Sequence, residues 1–383
     1  MAELLIDSTR LVVRLLKRRL PTGVDRVCLA YVRQYAATAR AVLQRGHFGV
    51  ILPQSLSRQL FATLLEPDQQ IVRRTVGVLL RSICQARAPP CPGSILLNVG
   101  HSGLEQPHYA AWLRRRQLRP IYMVHDLIPV THPEYCRPRE RERHERRMET
   151  VLHTASGVVT NSRVTLQALG AYAAGRGITM PPALAAPLAG AALQAGRSSR
   201  PLPEPYFVML STIEPRKNHW TILQVWRRLI ERLGAQAPRL VVIGQRGWEC
   251  QNVVELLDRC PVLRGFVIQK SDCSDVELGS YLGHAQALLF PSFVEGFGLP
   301  LIEALSLGVP AIASDLSVFH EIAGDIPDYL DPLDATGWMN GIDSYRDSRS
   351  RARTTQLQRL TKFRAPTWLA HFEQFEQLLG RVC

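Results

Sequence analysis

No stretch of this chain approaches the ~20 consecutive apolar residues that a membrane-spanning helix needs, and the opening Leu4-Leu5-Ile6 is cut by Asp7 and Arg10. A secretory leader is not evident, and the eight cysteines (28, 84, 91, 136, 250, 260, 273 and 383) show neither a Cys-x-x-Cys pair nor metal-ligand spacing. Reduced thiols in a cytoplasmic protein that touches membrane at most peripherally are the expectation. Aromatic residues are sparse at 7%, and the arginine clusters lack them, which argues against a nucleic-acid-binding protein that stacks bases on rings. Acidic residues are the minority, 33 against 46 Lys and Arg, for a net charge of +13. That balance calls for an anionic partner: a nucleotide, a nucleic acid or an acidic membrane surface. Ordinary hydrophobic (46%) and charged (21%) contents exclude wholesale disorder, and 383 residues leave room for two or three domains with their own cores.

Much of the positive charge is local. Arg14, Lys17, Arg18 and Arg19 form one cluster, Arg114, Arg115, Arg116 and Arg119 a second, and Arg137 to Arg147 a third with six Arg against three Glu. The third reads as a solvated helix with mixed charge pairs. The first two suit an anionic lipid headgroup.

Short apolar runs alternate with helical stretches: Leu4 to Ile6, Val50 to Leu52, Ile95 to Val99, Ile121 to His125, Val158 to Thr160, Tyr206 to Leu210, Leu240 to Ile243, Ala287 to Phe290 and Ala311 to Ala313. Strands separated by helices indicate parallel sheets covered on both faces, so the fold class is α/β throughout. Composition shifts to Ala, Pro, Gly and Ser between about Thr179 and Pro205. The expected division is a first domain over 1–197, a linker over 198–205 and a second domain over 206–365.

In open parallel sheets ligands sit beyond the carboxyl ends of the strands, and the informative residues cluster at such ends. Phe290 to Glu303 reads FPSFVEGFGLPLIE: an apolar strand, a Gly-Phe-Gly turn, then a helix over about Leu301 to Leu307, with Glu295 and Glu303 eight positions apart. The strand-turn-helix unit offers free N–H groups and a helix dipole to a phosphate, and the flanking carboxylates suit the hydroxyls of a ribose or hexose. Read plainly, Glu295 is a solvated loop residue and Glu303 a first-turn glutamate favoured by the dipole.

After the run ending at Leu210 comes Ser211-Thr212-Ile213-Glu214-Pro215-Arg216-Lys217-Asn218-His219. Adjacent bases ahead of a helix over Trp220 to Leu229 suit a diphosphate clamp, since helix starts otherwise favour acids. Gly244-Gln245-Arg246-Gly247-Trp248 follows the next strand; Arg246 is a phosphate candidate and Trp248 either walls a nucleotide or is simply buried. Ser271-Asp272-Cys273-Ser274 reads as an N-cap, as does Asn161-Ser162. In the first half, His125 and Asp126 stand at a strand end ahead of Pro129, a position less often structural for a histidine than most. Gly23, Asp25 and Arg26, within Thr22-Gly23-Val24-Asp25-Arg26, read as a loop suited to close approach, and His101 lies in a further strand-end loop, Asn98 to Gly103.

Together, EGFGLPLIE, STIEPRKNH, HDLIP, TGVDRV and VVTNS resemble, over nearly the whole chain and in the right order, the family 4 retaining glycosyltransferases of the GT-B fold. The resemblance implies two facing Rossmann-like domains with a cleft between them, the second binding a nucleotide sugar and the first the acceptor, and a tail over 366–383 that returns as a helix to the first domain. It gives Glu303 to the donor ribose, Glu295 to the donor sugar, Gly296, Phe297, Gly298 and Leu299 to donor contacts, Arg216 and Lys217 to the diphosphate, and His125 to the transferred sugar near the acceptor. Many members have Gly-Arg where this chain has Leu210-Ser211, and Arg216 or Arg246 would substitute. Retention by front-face attack, with the leaving diphosphate taking the acceptor's proton, needs no side-chain nucleophile. No Asp-x-Asp triad is present, so neither metal nor cofactor is expected.

The implied activity is transfer of a hexose, mannose from GDP-mannose, to a hydroxyl of a growing capsule, O-antigen or exopolysaccharide glycan that is lipid-linked, on the inner face of the membrane. The competing readings are a nucleotide-sugar epimerase on the same fold, which would consume donor without glycan product, and a binding protein for nucleic acid or an anionic surface. No nucleic-acid partner is expected.

Overall fold

The computed structural model describes residues 2–18, 21–45, 48–66, 70–84, 91–194 and 200–382. Arg19 of the first basic cluster, Cys383 and linker positions 198 and 199 lie outside them. The chain forms two units: one from residues 1–130, 139–188 and 368–383, the other from 131–138 and 189–367.

The first unit holds a seven-stranded sheet from β1 (Leu4–Asp7), β2 (Arg40–Arg45), β3 (Phe48–Ile51), β4 (Ile95–Asn98), β5 (Arg119–Val124), β6 (Gly157–Thr160) and β7 (Ala183–Ala185). Their order is β3-β2-β1-β4-β5-β6-β7, parallel except that β3 runs antiparallel to β2 with Val42 opposite Ile51. Its core gathers Leu5, Val42, Leu96, Tyr122, Val124 and Val158 from the strands and Met148, Val151 and Leu169 from covering helices.

The second unit holds β8 (Tyr206–Leu210), β9 (Arg239–Ile243), β10 (Val267–Lys270), β11 (Leu288–Phe290), β12 (Ala311–Ser314) and β13 (Asp328–Leu330). The order is β10-β9-β8-β11-β12-β13, all parallel. Counted within the unit this is 3-2-1-4-5-6, the doubly wound Rossmann order. Its chain reverses direction across the sheet between β8 and β11. The apolar runs YFVM, LVVI and LLF are buried because helices cover both faces.

Composition puts the first domain's end at 197 and the linker at 198–205, whereas the main segment of the second unit begins at Ala189. The reason is packing: a Cβ on Gly190 would lie 3.0 Å from Glu303 Cγ, and one on Gly279 only 2.3 Å from the Gln194 carbonyl oxygen. The segment is thus seated on the second unit before the Pro-rich stretch begins.

Thr22 to Arg26 is a helix start and not a loop. Thr22 is the N-cap of the helix Gly23–Tyr35, and Asp25 closes a capping box with it, accepting from the Thr22 N–H at 2.7 Å. Asp25 also pairs with Arg10 and Arg14, each at 2.7 Å. Arg14 therefore leaves the first basic cluster for an internal ion pair. The third cluster is the expected mixed-charge helix, Glu140–Thr154, with Arg143 and Arg147 both on Glu105. Ser162 and Ser274 cap their helices through the N–H groups of Thr165 and Glu277.

Candidate functional site

The order of the second sheet explains which residues meet. At a reversal point the loops after the two central strands diverge to opposite faces and leave a crevice at the strand ends. Here those loops are 211–218 after β8 and 291–298 after β11, and they carry Arg216, Lys217 and Glu295.

The three side chains form a tight group. Arg216 Nη1 donates to Glu295 Oε2 at 2.7 Å, and its Nη2 lies 2.8 Å from Glu214. The Lys217 ammonium donates to Glu295 Oε1, which also accepts from the Ser292 hydroxyl at 2.7 Å. Lys217 and Glu295 are nearly sealed, with side chains 9% and 8% exposed, while Arg216 keeps 21%. Burial alone would raise the Glu295 carboxyl, but Arg216 and Lys217 overcome it and hold it at about 2. Burial lowers Lys217, with Arg216 adding to the effect, and burial raises Glu214.

Local geometry supports the group. Pro215–Lys217 is a single 3-10 turn, ended by Asn218 at φ 56 ahead of the helix His219–Leu233. The Phe293 N–H donates to the Arg216 carbonyl at 2.8 Å, so the two loops are joined by backbone as well as by side chain. Gly244 has φ +153, and a Cβ there would fall 1.9 Å from the Ser211 carbonyl oxygen. Gly298 has φ +155, with a would-be Cβ 2.8 Å from Ile322, and it opens the helix Leu299–Ser306. Phe297 is buried beside it, and Leu299 is the helix's first residue.

Glu303 lies on the second turn of that helix and not the first. It is 6% exposed, and its Oε1 accepts the Ala191 N–H at 3.1 Å. Arg246 does not join the group: it donates to Asp258 at 2.8 Å and to Gln269 at 2.8 Å. Its guanidinium is held toward β10. Sequence reasoning also passed over Ser292 and Glu214 as partners; each lies inside a quoted motif, but spacing alone assigns them no contact.

In the first unit the strand-end histidines His101 and His125 gather with His144 of the helix Glu140–Thr154. His125 Nε2 donates to the Val99 carbonyl at 2.8 Å, His101 Nε2 to Met123 at 2.6 Å and His144 Nε2 to Asp126 at 3.1 Å. The His101 ring lies 5.4 Å from His125 and 6.1 Å from His144. Burial lowers all three, so they are neutral imidazoles whose proton sits on Nε2. Asp126 Oδ1 accepts the Ile128 N–H at 3.1 Å, and Asn161 donates to the His125 carbonyl at 2.8 Å. Gly23 and Arg26 fall in the first turn of the helix Gly23–Tyr35. Among the described residues, no three His, Cys, Asp or Glu side chains gather as a metal site, and no helix is long and apolar enough to cross a membrane.

Residues 194–329, which carry this doubly wound sheet with two cations and an ionised carboxylate at its reversal point, match the glycosyl transferases group 1 family. This stretch is a domain of that family. Two relatives are O-antigen chain mannosyltransferase B of Escherichia coli, 31% identical over 231 residues, and O-antigen chain mannosyltransferase RfbU of Salmonella typhimurium, 30% identical over 145 residues. The first alignment covers 58% of this chain and the second 36%; the chain spans 60% and 38% of the two relatives' lengths. Among solved structures, sucrose-phosphate synthase from Thermosynechococcus elongatus superimposes with a TM-score of 0.67 at 16% identity, covering 100% of this chain and 99% of that one. Anabaena HepE, solved in complex with UDP and glucose, gives 0.68 at 14% identity over 100% of both chains. The fold is GT-B.

Proposed function

We propose that this chain is a retaining mannosyltransferase that moves mannose from GDP-mannose to a hydroxyl of a growing, lipid-linked glycan of the O-antigen type. The observation that carries the proposal is the Arg216–Lys217–Glu295 group at the reversal point of a glycosyl transferases group 1 domain. The relatives, which are O-antigen mannosyltransferases, support mannose as the sugar; HepE's UDP makes the base the point to test.

In the proposed step the bond from the anomeric carbon to the diphosphate breaks, and the acceptor oxygen bonds to that carbon on the same face. The acceptor's proton passes to the departing phosphate oxygen. Arg216 and Lys217 stabilise the negative charge that collects there, without a metal ion. Glu295, ionised across the working range, accepts from the mannose hydroxyls, and Glu303 from the ribose. His125 serves the acceptor side, its unprotonated Nδ1 free to accept from a hydroxyl.

Thermal shift against GDP, UDP and their sugars, on wild type and Glu303→Ala, is the test. GDP and GDP-mannose should raise the melting temperature of wild type, and much less that of the variant. A wild type that no nucleoside diphosphate stabilises removes the transferase reading, and donor turnover without a glycan product would favour epimerisation. Transfer should survive a chelator; loss restored by a divalent ion would overturn metal independence.

Peripheral attachment to an anionic membrane is proposed from the first unit. Its touching helices Thr9–Leu16 and Ile71–Cys84 contain no acidic residue. They expose Val13 (42%), Leu16 (40%), Val76 (38%) and Leu80 (59%), beside the exposed bases Lys17, Arg18, Arg73 and Arg81. Co-sedimentation with phosphatidylglycerol vesicles should fall with salt and with Leu80→Glu. Equal binding to phosphatidylcholine vesicles would refute an electrostatic surface.

A further inference from the structure

The segment 131–138 belongs to the second unit although the residues on both sides of it belong to the first. It carries two ring contacts there. Tyr135 stacks on Phe293 with centroids 5.2 Å apart and planes within 5°, and the His132 ring lies 6.3 Å from that of Tyr135 with planes within 18°. Two residues on, the Arg137 guanidinium sits 5.2 Å over the Trp248 ring. Pro133 begins the 3-10 turn that ends at Tyr135, which fixes the ring's approach.

Phe293 is the link to chemistry. Its N–H is bonded to the Arg216 carbonyl, Arg216 Nη1 reaches the Val294 carbonyl at 3.3 Å, and Ser292 holds Glu295. Any shift of the 291–296 loop therefore moves both the base that faces the diphosphate and the carboxylate it pairs with. The segment touches one aromatic in the loop after β11 and one in the loop after β9, so it braces both loops.

We propose that Tyr135 is a positioning residue of the donor site, acting through Phe293 on the Arg216–Lys217–Glu295 group. The role rests on the transferase reading above and adds to it a residue that no motif contains. Neither the Tyr135 ring nor its hydroxyl need touch the donor.

Isothermal titration of GDP and steady-state kinetics with GDP-mannose, on wild type, Tyr135→Ala, Tyr135→Phe and Phe293→Ala, test it. Tyr135→Ala should raise both the GDP dissociation constant and the donor KM about threefold to tenfold, the scale of one lost aromatic pair, and lower kcat as well, because the same group serves the departing diphosphate. Tyr135→Phe, which keeps the ring, should restore these values. Tyr135→Ala in a Phe293→Ala background should add nothing further, because the two act as one contact. An unchanged KM and dissociation constant in Tyr135→Ala would overturn the role, as would a lowered melting temperature with nucleotide affinity intact. If wild type binds no nucleoside diphosphate, the parent reading has failed and this role falls with it; if wild type binds and Tyr135→Ala binds equally, only the positioning role fails.

Discussion

Lys217→Ala is expected to lower kcat by about 10²–10³-fold, the effect of removing one preorganised donor from a site where charge develops. The group as it stands balances two carboxylates, Glu214 and Glu295, against two cations, Arg216 and Lys217. Taking away Lys217 leaves one cation against two acids, so an incoming diphosphate meets net negative charge and the donor KM rises as well. Protonation of Glu295 offers no relief near neutral pH. Its folded-state carboxyl sits at about 2, below the ordinary 4.5, so its ion pairs contribute stability above pH 4.5 and lose it only as pH falls toward 2. Removing a partner from a buried pair also costs about 3–5 kcal/mol of folding stability. Lys217→Met, which keeps most of the side-chain volume against the Phe290 ring 5.4 Å away, separates the two effects. It should fold at 25 °C by circular dichroism and remain inactive; a Lys217→Met enzyme within tenfold of wild-type turnover would rule out the clamp.

The way these residues became legible differs from one to the next. Central strands β1, β4, β5, β6, β8, β9, β11 and β12 are continuous apolar runs because helices bury both faces, and each shows in the sequence within a residue or two. Strands β7, β10 and β13 do not, and the topology gives the reason: all three are edges, only partly buried along their lengths, so Ala-Leu-Ala or Val-Ile-Gln-Lys carries no buried-run signal. Strand β2 is internal but flanked by Arg40 and Arg45, and reads as polar. Arg216, Lys217 and Glu295 were legible as types at strand ends, yet their convergence depends on the order of the strands, which no local pattern encodes. Arg246 shows the converse. Its motif is as suggestive as that of Arg216, but Asp258 on the following helix takes its guanidinium, a partner 12 residues on that the glycine turn does not reveal. For Asp25 the sequence does contain the deciding signal: Thr22-x-x-Asp25 is a capping-box spacing, and it outranks the loop character of Gly23.

Phe375→Ala should destabilise the first unit by about 3–5 kcal/mol, the usual cost of emptying a buried phenyl site. The helix Trp368–Val382 supplies Phe372 and Phe375, and Phe375 is 1% exposed. Its ring meets Tyr31 edge-on at 5.3 Å and Tyr35 at 6.0 Å, and Phe372 meets the same two tyrosines at 5.1 and 5.8 Å. The polar rims of these rings are satisfied as well. Tyr31 donates to His371 Nε2 at 2.9 Å, His371 Nδ1 donates to the Ala186 carbonyl at 3.1 Å, and Tyr35 donates to Glu376 at 2.6 Å. Burial and Glu376 together push the Tyr35 phenol far above its usual range. A cavity here therefore strands hydrogen-bonding groups beside it, which places the cost at the upper part of the range. For a unit of this size each kcal/mol lowers the melting temperature by roughly 2–4 °C. Calorimetry with and without GDP reads the effect cleanly: the transition that GDP raises reports the second unit, and Phe375→Ala should lower the other one by roughly 10 °C. Phe375→Leu, which keeps most of the volume, should lose less than half as much. If Phe375→Ala shifts neither transition by more than about 2 °C, the tail helix is an ornament on the first unit and not part of its core.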